Sequence, residues 1–223
     1  MPGLGANPKI FEYISLPKDQ FEIHLLEWKI PVSEDESIQD YAQRMANEIK
    51  HQKPVLLGVS FGGVLVQEIA KIIAVKKIIL VSSIKSHHEF PNRLKLLQKT
   101  KAYKFFPTKI IENFDKYKKY FLGDFLKKRA DLYSLYLSVN DALYLKWAIY
   151  TILHWQQDKI PENILHIHGN NDHVFPSKHI HNFTEINNGS HVMILLKANK
   201  ISTIIYKNLT LNFVCIFLNL IFY

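Results

Sequence analysis

The hydrophobic positions of this 223-residue chain fall into two kinds of run, and the two kinds alternate. Short continuous apolar runs, "PVLLGV" (54–59) and "KKIILVSS" (76–83), have the pattern of strands buried on both faces. "FEIHLLEW" (21–28), "NILHIHG" (163–169) and "FTEINN" (183–188) also read as strands. Between them, apolar residues recur at helical spacing. "SEDESIQDYAQRMANEIKH" (33–51) predicts a helix with Ile38, Tyr41, Ala42 and Met45 on one face, and Ser33 and Glu36 at capping-box spacing. "GGVLVQEIAKII" (62–73) predicts a second helix. "HVMILLKANKISTIIYKNL" (191–209) predicts a third, with a break near Asn199. Strands alternating with helices imply an α/β fold, a mostly parallel sheet with helices on both faces.

From residue 84 to 162 the pattern changes. No buried strand is evident, aromatics are frequent, and "LYSLYLSVNDALYLKWAIYTILHW" (132–155) has helical periodicity. This predicts a helical cap or lid inserted after the strand at 76–83. The expected organisation is a core in two parts, 1–83 and 163–208, the insertion 84–162, and an apolar C-terminal tail, 209–223. Fifteen residues are fewer than the ~20 that span a bilayer as a helix. Membrane contact through 209–223 is an alternative that is not favoured.

Charge changes the picture little. The net charge is +8, and residues 85–129 alone carry 13 Lys/Arg against 4 Asp/Glu. Lysines without stacking or arginine-fork patterns fit a solvated helical face better than a nucleic-acid surface. One cysteine, Cys215, leaves no internal disulfide and fits a reducing compartment. No basic region followed by an apolar one opens the chain, so a cytoplasmic location is expected.

The candidate chemistry begins at "GVSFGG" (58–63). With 12 serines and 8 glycines, chance gives about 0.015 matches to G-x-S-x-G. Here the motif lies between a strand and a helix. So tight a turn strains the central residue and requires small neighbours, here Gly58 and Gly62. Gly63 lets the helix pack closely. Ser60 then projects above the strand ends at a helix N-terminus. A serine nucleophile needs a base, and "NNGSHVMIL" (187–195) supplies His191. "ILHIHGNNDHVFP" (164–176) supplies Asp172 to orient it. The chain order is Ser, Asp, His.

These pieces, with "PGLGA" at the start, resemble an α/β-hydrolase over residues 1 to about 208. The resemblance implies a serine hydrolase that cleaves an ester, thioester or related acyl bond through Ser60, His191 and Asp172. It implies an oxyanion hole from the backbone N–H groups of Leu4 and Phe61, no cofactor and no metal. The expected partner is a small-molecule acyl substrate and not nucleic acid.

The chain departs from the family by opening inside the P-G turn, without the family's first strands. Leu4 is therefore expected on a free, poorly held terminus. The alternative reading is a catalytically impaired α/β-hydrolase-like binding protein, membrane-associated through its tail. Only a short helix, "SKHIHN" (177–182), fits between acid and histidine. Three competing assignments stand beside the triad. Glu89 is a second candidate acid. His166, His168, Asp172 and His173 form a candidate metal box, although its spacing is two residues too long. His87 and His88, at the start of the insertion and ahead of the lid helices, read as surface histidines.

Overall fold

Alternation along the strands divides the interior in two. Ile78 and Leu80 belong to one apolar cluster, Ile79 and Val81 to the other. That is what a strand covered on both faces requires. The computed structural model describes residues 1–105 and 135–219. Among them, four parallel strands lie side by side in chain order: β1 (Val55–Val59), β2 (Lys77–Val81), β3 (Ile164–Gly169) and β4 (Thr184–Ile186). Gly58 pairs with Leu80, Leu80 with His166, and Gly169 with Ile186.

One face is covered by α1 (Ile38–Ala46), α2 (Phe61–Ile69) and α4 (Ala142–His154), whose buried residues include Tyr41, Leu65 and Trp147. The other carries α5 (Met193–Leu196) and α6 (Ala198–Asn219), with Met193, Ile201 and Ile205 against Val81 and Ile167. The remaining helix, α3 (Asn92–Thr100), lies in the segment between β2 and β3, as does α4. The expected α/β architecture is therefore present.

Several boundaries differ from expectation. The first helix starts at Ser37, not at Ser33. The Ser37 side chain accepts the Asp40 N–H at 3.0 Å. Glu36 is held instead by Arg44, at 2.7 and 2.8 Å, and by the Val32 N–H at 2.8 Å. The helix ends at Ala46 and α2 at Ile69, both short of the predicted limits. The third predicted helix is indeed divided, at Lys197. Residues 177–182 supply only one 3-10 turn, Ser177–His179.

Residues 21–28 are not a strand. A cavity of about 880 Å³, lined by Phe21, Ile23, Leu25, Val55 and Leu57, lies between this segment and β1, and leaves it no ladder to join. In the predicted insertion, α3 and α4 are helical, while 106–134 lies outside the described residues. The tail has no break at 209, because α6 runs on to Asn219, and 220–223 lies outside the described residues. Among the described residues no helix is long and apolar enough to cross a membrane.

Candidate active site

β1 ends at Val59 and α2 begins at Phe61, so a single residue must reverse the chain. That residue is Ser60, with φ of 52° and ψ of −121°. This conformation is costly for any residue with a side chain. Three backbone-directed bonds fix the turn. Ser60 N–H donates to Val81 O at 3.0 Å, Gly63 N–H to Ser60 O at 2.9 Å, and Ser83 Oγ to Ser60 O at 2.7 Å. The glycines are required sterically. A Cβ on Gly58 would lie 2.3 Å from Gly62 O, and one on Gly62 would lie 2.2 Å from Pro2 O. At Gly63 the obstruction is Ser83, after β2, and not β1 itself.

The turn aims Ser60 Oγ at His191 Nε2, 2.9 Å away. His191 Nδ1–H donates to Asp172 Oδ2, also at 2.9 Å. The sequence places these three residues up to 131 positions apart, and the sheet brings them together at the C-terminal ends of β1, β3 and β4. The loop holding Asp172 and the turn holding His191 are joined to each other. Asn171 N–H donates to Gly189 O at 3.0 Å, and Gly169 packs so closely on Gly189 that a Cβ would lie 2.1 Å from its carbonyl oxygen.

Asp172 is buried, which opposes its ionisation. His191 and the Phe175 N–H outweigh that cost and hold its carboxyl below the usual range. Its Oδ1 accepts the N–H groups of Val174 and Phe175 at 2.8 and 2.9 Å. The carboxylate is thus fixed as an anion facing the imidazole. Such a chain can move the Ser60 proton to His191 while keeping the imidazole in one orientation.

Leu4 lies beside this turn, since a Cβ on the preceding Gly3 would lie 3.5 Å from Ser60 Cβ. Among the described residues neither Leu4 N–H nor Phe61 N–H donates to a protein acceptor. The segment carrying Leu4 is not loose, which corrects the expectation of a poorly held terminus. Met1 bridges β1 as a parallel strand residue would: its amino group donates to Leu57 O at 2.6 Å, and its carbonyl accepts from Val59 N–H at 3.1 Å. Trp28 Nε1 donates to Gly3 O at 2.9 Å. Gly5 N–H donates to Tyr144 Oη at 3.3 Å, and Asn7 N–H to Tyr136 O at 2.8 Å. Trp28 also stacks on Phe61, with centroids 5.0 Å apart and planes at 9°. Trp28, Tyr144 and Tyr136 escape sequence reasoning because no local pattern marks a long-range contact.

The competing residues are engaged elsewhere. Glu89 accepts the N–H groups of Lys85 and His181, at 2.7 and 3.1 Å, and does not meet His191. His166, His168, Asp172 and His173 do not converge as a ligand group. His168 Nε2 donates to Phe175 O at 2.8 Å, and burial pushes the pKa values of both strand histidines down, keeping them neutral. None of Ser60, Asp172 and His191 lines the 880 Å³ cavity.

No protein-family model matches the chain, and no curated protein matches it. Solved structures do. A Mycobacterium tuberculosis H37Rv protein assigned as a non-heme bromoperoxidase, BpoC, is similar with a TM-score of 0.70 at 12% identity, over 94% of this chain and 90% of that one. A thermophilic esterase from Thermogutta terrifontis gives 0.66 at 14%, over 93% and 87%. The esterase EaEST from Exiguobacterium antarcticum gives 0.59 at 17%, over 92% and 90%. Identities this low establish a shared fold.

Proposed function

We propose that this chain, which has the α/β-hydrolase fold, is a serine hydrolase acting on an ester, thioester or related acyl compound. The observation supporting this most directly is the continuous hydrogen-bonded path from Ser60 through His191 to Asp172 at a turn with a positive φ. In the proposed mechanism His191 Nε2 takes the Ser60 proton as Oγ attacks the acyl carbon. Asp172 holds the imidazole orientation and stabilises the imidazolium. The carbonyl oxygen, now negative, is met by the N–H groups of Leu4 and Phe61, the latter at the N-terminus of α2. His191 passes the proton to the leaving group. Water, deprotonated by the same imidazole, then releases the acid from Ser60.

In this reading the insertion expected at 84–162 serves as the cap, except for α4, which packs with α1 and α2 on the sheet face, and a small acyl substrate is the expected ligand. The single cysteine supports a cytoplasmic setting, with membrane contact through 209–223 as the alternative.

A fluorophosphonate probe tests the proposal, because it traps activated serines. The expected result is labelling of the parent chain and none of Ser60→Ala, with p-nitrophenyl ester hydrolysis reduced by about 10⁴-fold or more. Folded parent protein that resists the probe overturns the enzyme reading in favour of a ligand-binding role. Unchanged labelling of Ser60→Ala removes Ser60 as nucleophile.

A further inference from the structure

We propose that His87, His88 and Asp158 bind a divalent transition metal ion of the zinc class. They lie where the chain leaves β2 and where it returns from α4 toward β3. His87 and His88 form most of a single 3-10 turn, and their ring centroids are 4.0 Å apart. Asp158 Oδ1 lies 3.1 Å from His88 Nε2 and 3.7 Å from His87 Nε2. The three ligand atoms all fall within 4.8 Å of one another. Tetrahedral zinc with bonds near 2.0 Å places its ligands about 3.3 Å apart, so the spacing needs only small adjustment. Two imidazoles and one carboxylate are the donor set of a borderline cation, and exposure leaves a fourth position to water.

The backbone beneath these side chains is held. Ser86 caps the 3-10 turn, and its Oγ donates to Gln157 O at 2.6 Å. Gln157 is buried, and its Nε2 donates to Gln67 Oε1 and Lys85 O at 2.8 and 2.7 Å. His87 Nδ1 lies 3.2 Å from Gln157 O and 3.2 Å from Gln157 N, so the ring is held against the Gln157 backbone. An ion on Nε2 takes the tautomer in which Nδ1–H donates to the carbonyl, the arrangement that metal-binding imidazoles use.

A second group, Glu22, His24 and His51, also converges. It joins irregular segments, and no backbone carbonyl holds either of its histidines among the described residues. It serves as the internal control. An ion on the first group would cross-link the two ends of the segment between β2 and β3 at its base.

The test uses untagged full-length protein, stripped with EDTA and dialysed. Cobalt(II) is titrated and its visible absorption followed, with zinc(II) titrated by calorimetry. One ion per chain with micromolar affinity is expected. His88→Ala and Asp158→Asn should each weaken binding by about tenfold or more, and His51→Ala should not. Both side chains are exposed, so these variants keep the fold, and circular dichroism verifies it. Absence of saturable binding leaves only a His88–Asp158 hydrogen bond and overturns the proposal. Binding lost in His51→Ala, or unaffected by His88→Ala and Asp158→Asn, overturns it equally.

Discussion

Replacing Gly62 by alanine should silence the site while leaving the fold nearly as stable. Gly62 lies in the first turn of α2 with an ordinary helical backbone, so the effect is purely steric. Its new Cβ would lie 2.2 Å from Pro2 O and 2.5 Å from Met1 O. A comfortable carbon–oxygen contact is about 3.3 Å, so residues 1–4 must retreat by about 1 Å. Met1 then loses its two bonds to β1, worth about 1 kcal/mol each. Alanine recovers up to about 1 kcal/mol in helix propensity. The net destabilisation is about 1 kcal/mol. The effect on rate is much larger, because the Leu4 N–H leaves the position of the developing oxyanion. Loss of one such donor costs about 10²–10³ in kcat. Urea unfolding by circular dichroism, beside kcat on a p-nitrophenyl acyl ester, separates the two quantities. A folded Gly62→Ala protein with kcat within about threefold of the parent would refute the role given to residues 1–4.

Three further outcomes follow from the same geometry. Asp172→Asn keeps an oxygen for the Val174 and Phe175 N–H groups but presents an amide N–H to His191, so kcat should fall about 10⁴-fold with little change in the unfolding midpoint. Trp28→Phe retains the stack on Phe61 and deletes the bond to Gly3 O; about 1 kcal/mol of stability and a modest fraction of kcat should be lost, and an unaltered protein would count against that anchor. Burial lowers the Met1 amino group from 8.0 to about 5. Between those values the unfolded chain binds the extra proton, so stability rises with pH, by about 2 kcal/mol from pH 6 to pH 8. An N-acetylated chain keeps an N–H for Leu57 O and should lack that increment, which urea titrations at the two pH values measure.

The hydrogen-bonded set of Ser60, His191 and Asp172 was legible because each member stands at a strand end with its own local signature: glycines around Ser60, a turn-rich loop around Asp172, "NGSH" before α5. The strands around it were legible because burial on both faces forces continuous apolar runs. Residues 21–28 have strand composition too, but composition does not supply a neighbour, and the cavity beside β1 separates them from one. "SEDESIQD" offers two serines, each with an acid three residues on. Ser37 wins because Arg44, two helical turns away, claims Glu36. The anchoring of residues 1–7 was illegible for the same reason on a larger scale. Its partners, Trp28, Leu57, Tyr136 and Tyr144, come from three separate parts of the chain.

β4 is three residues long and pairs only with β3 among the described residues, yet the turn bearing His191 hangs from its end. Short edge ladders open at a fraction of the cost of global unfolding. Fraying there would part His191 from Ser60 while β1, β2 and β3 stayed closed. If the site works as proposed, such local opening would cost activity on heating before the core melts.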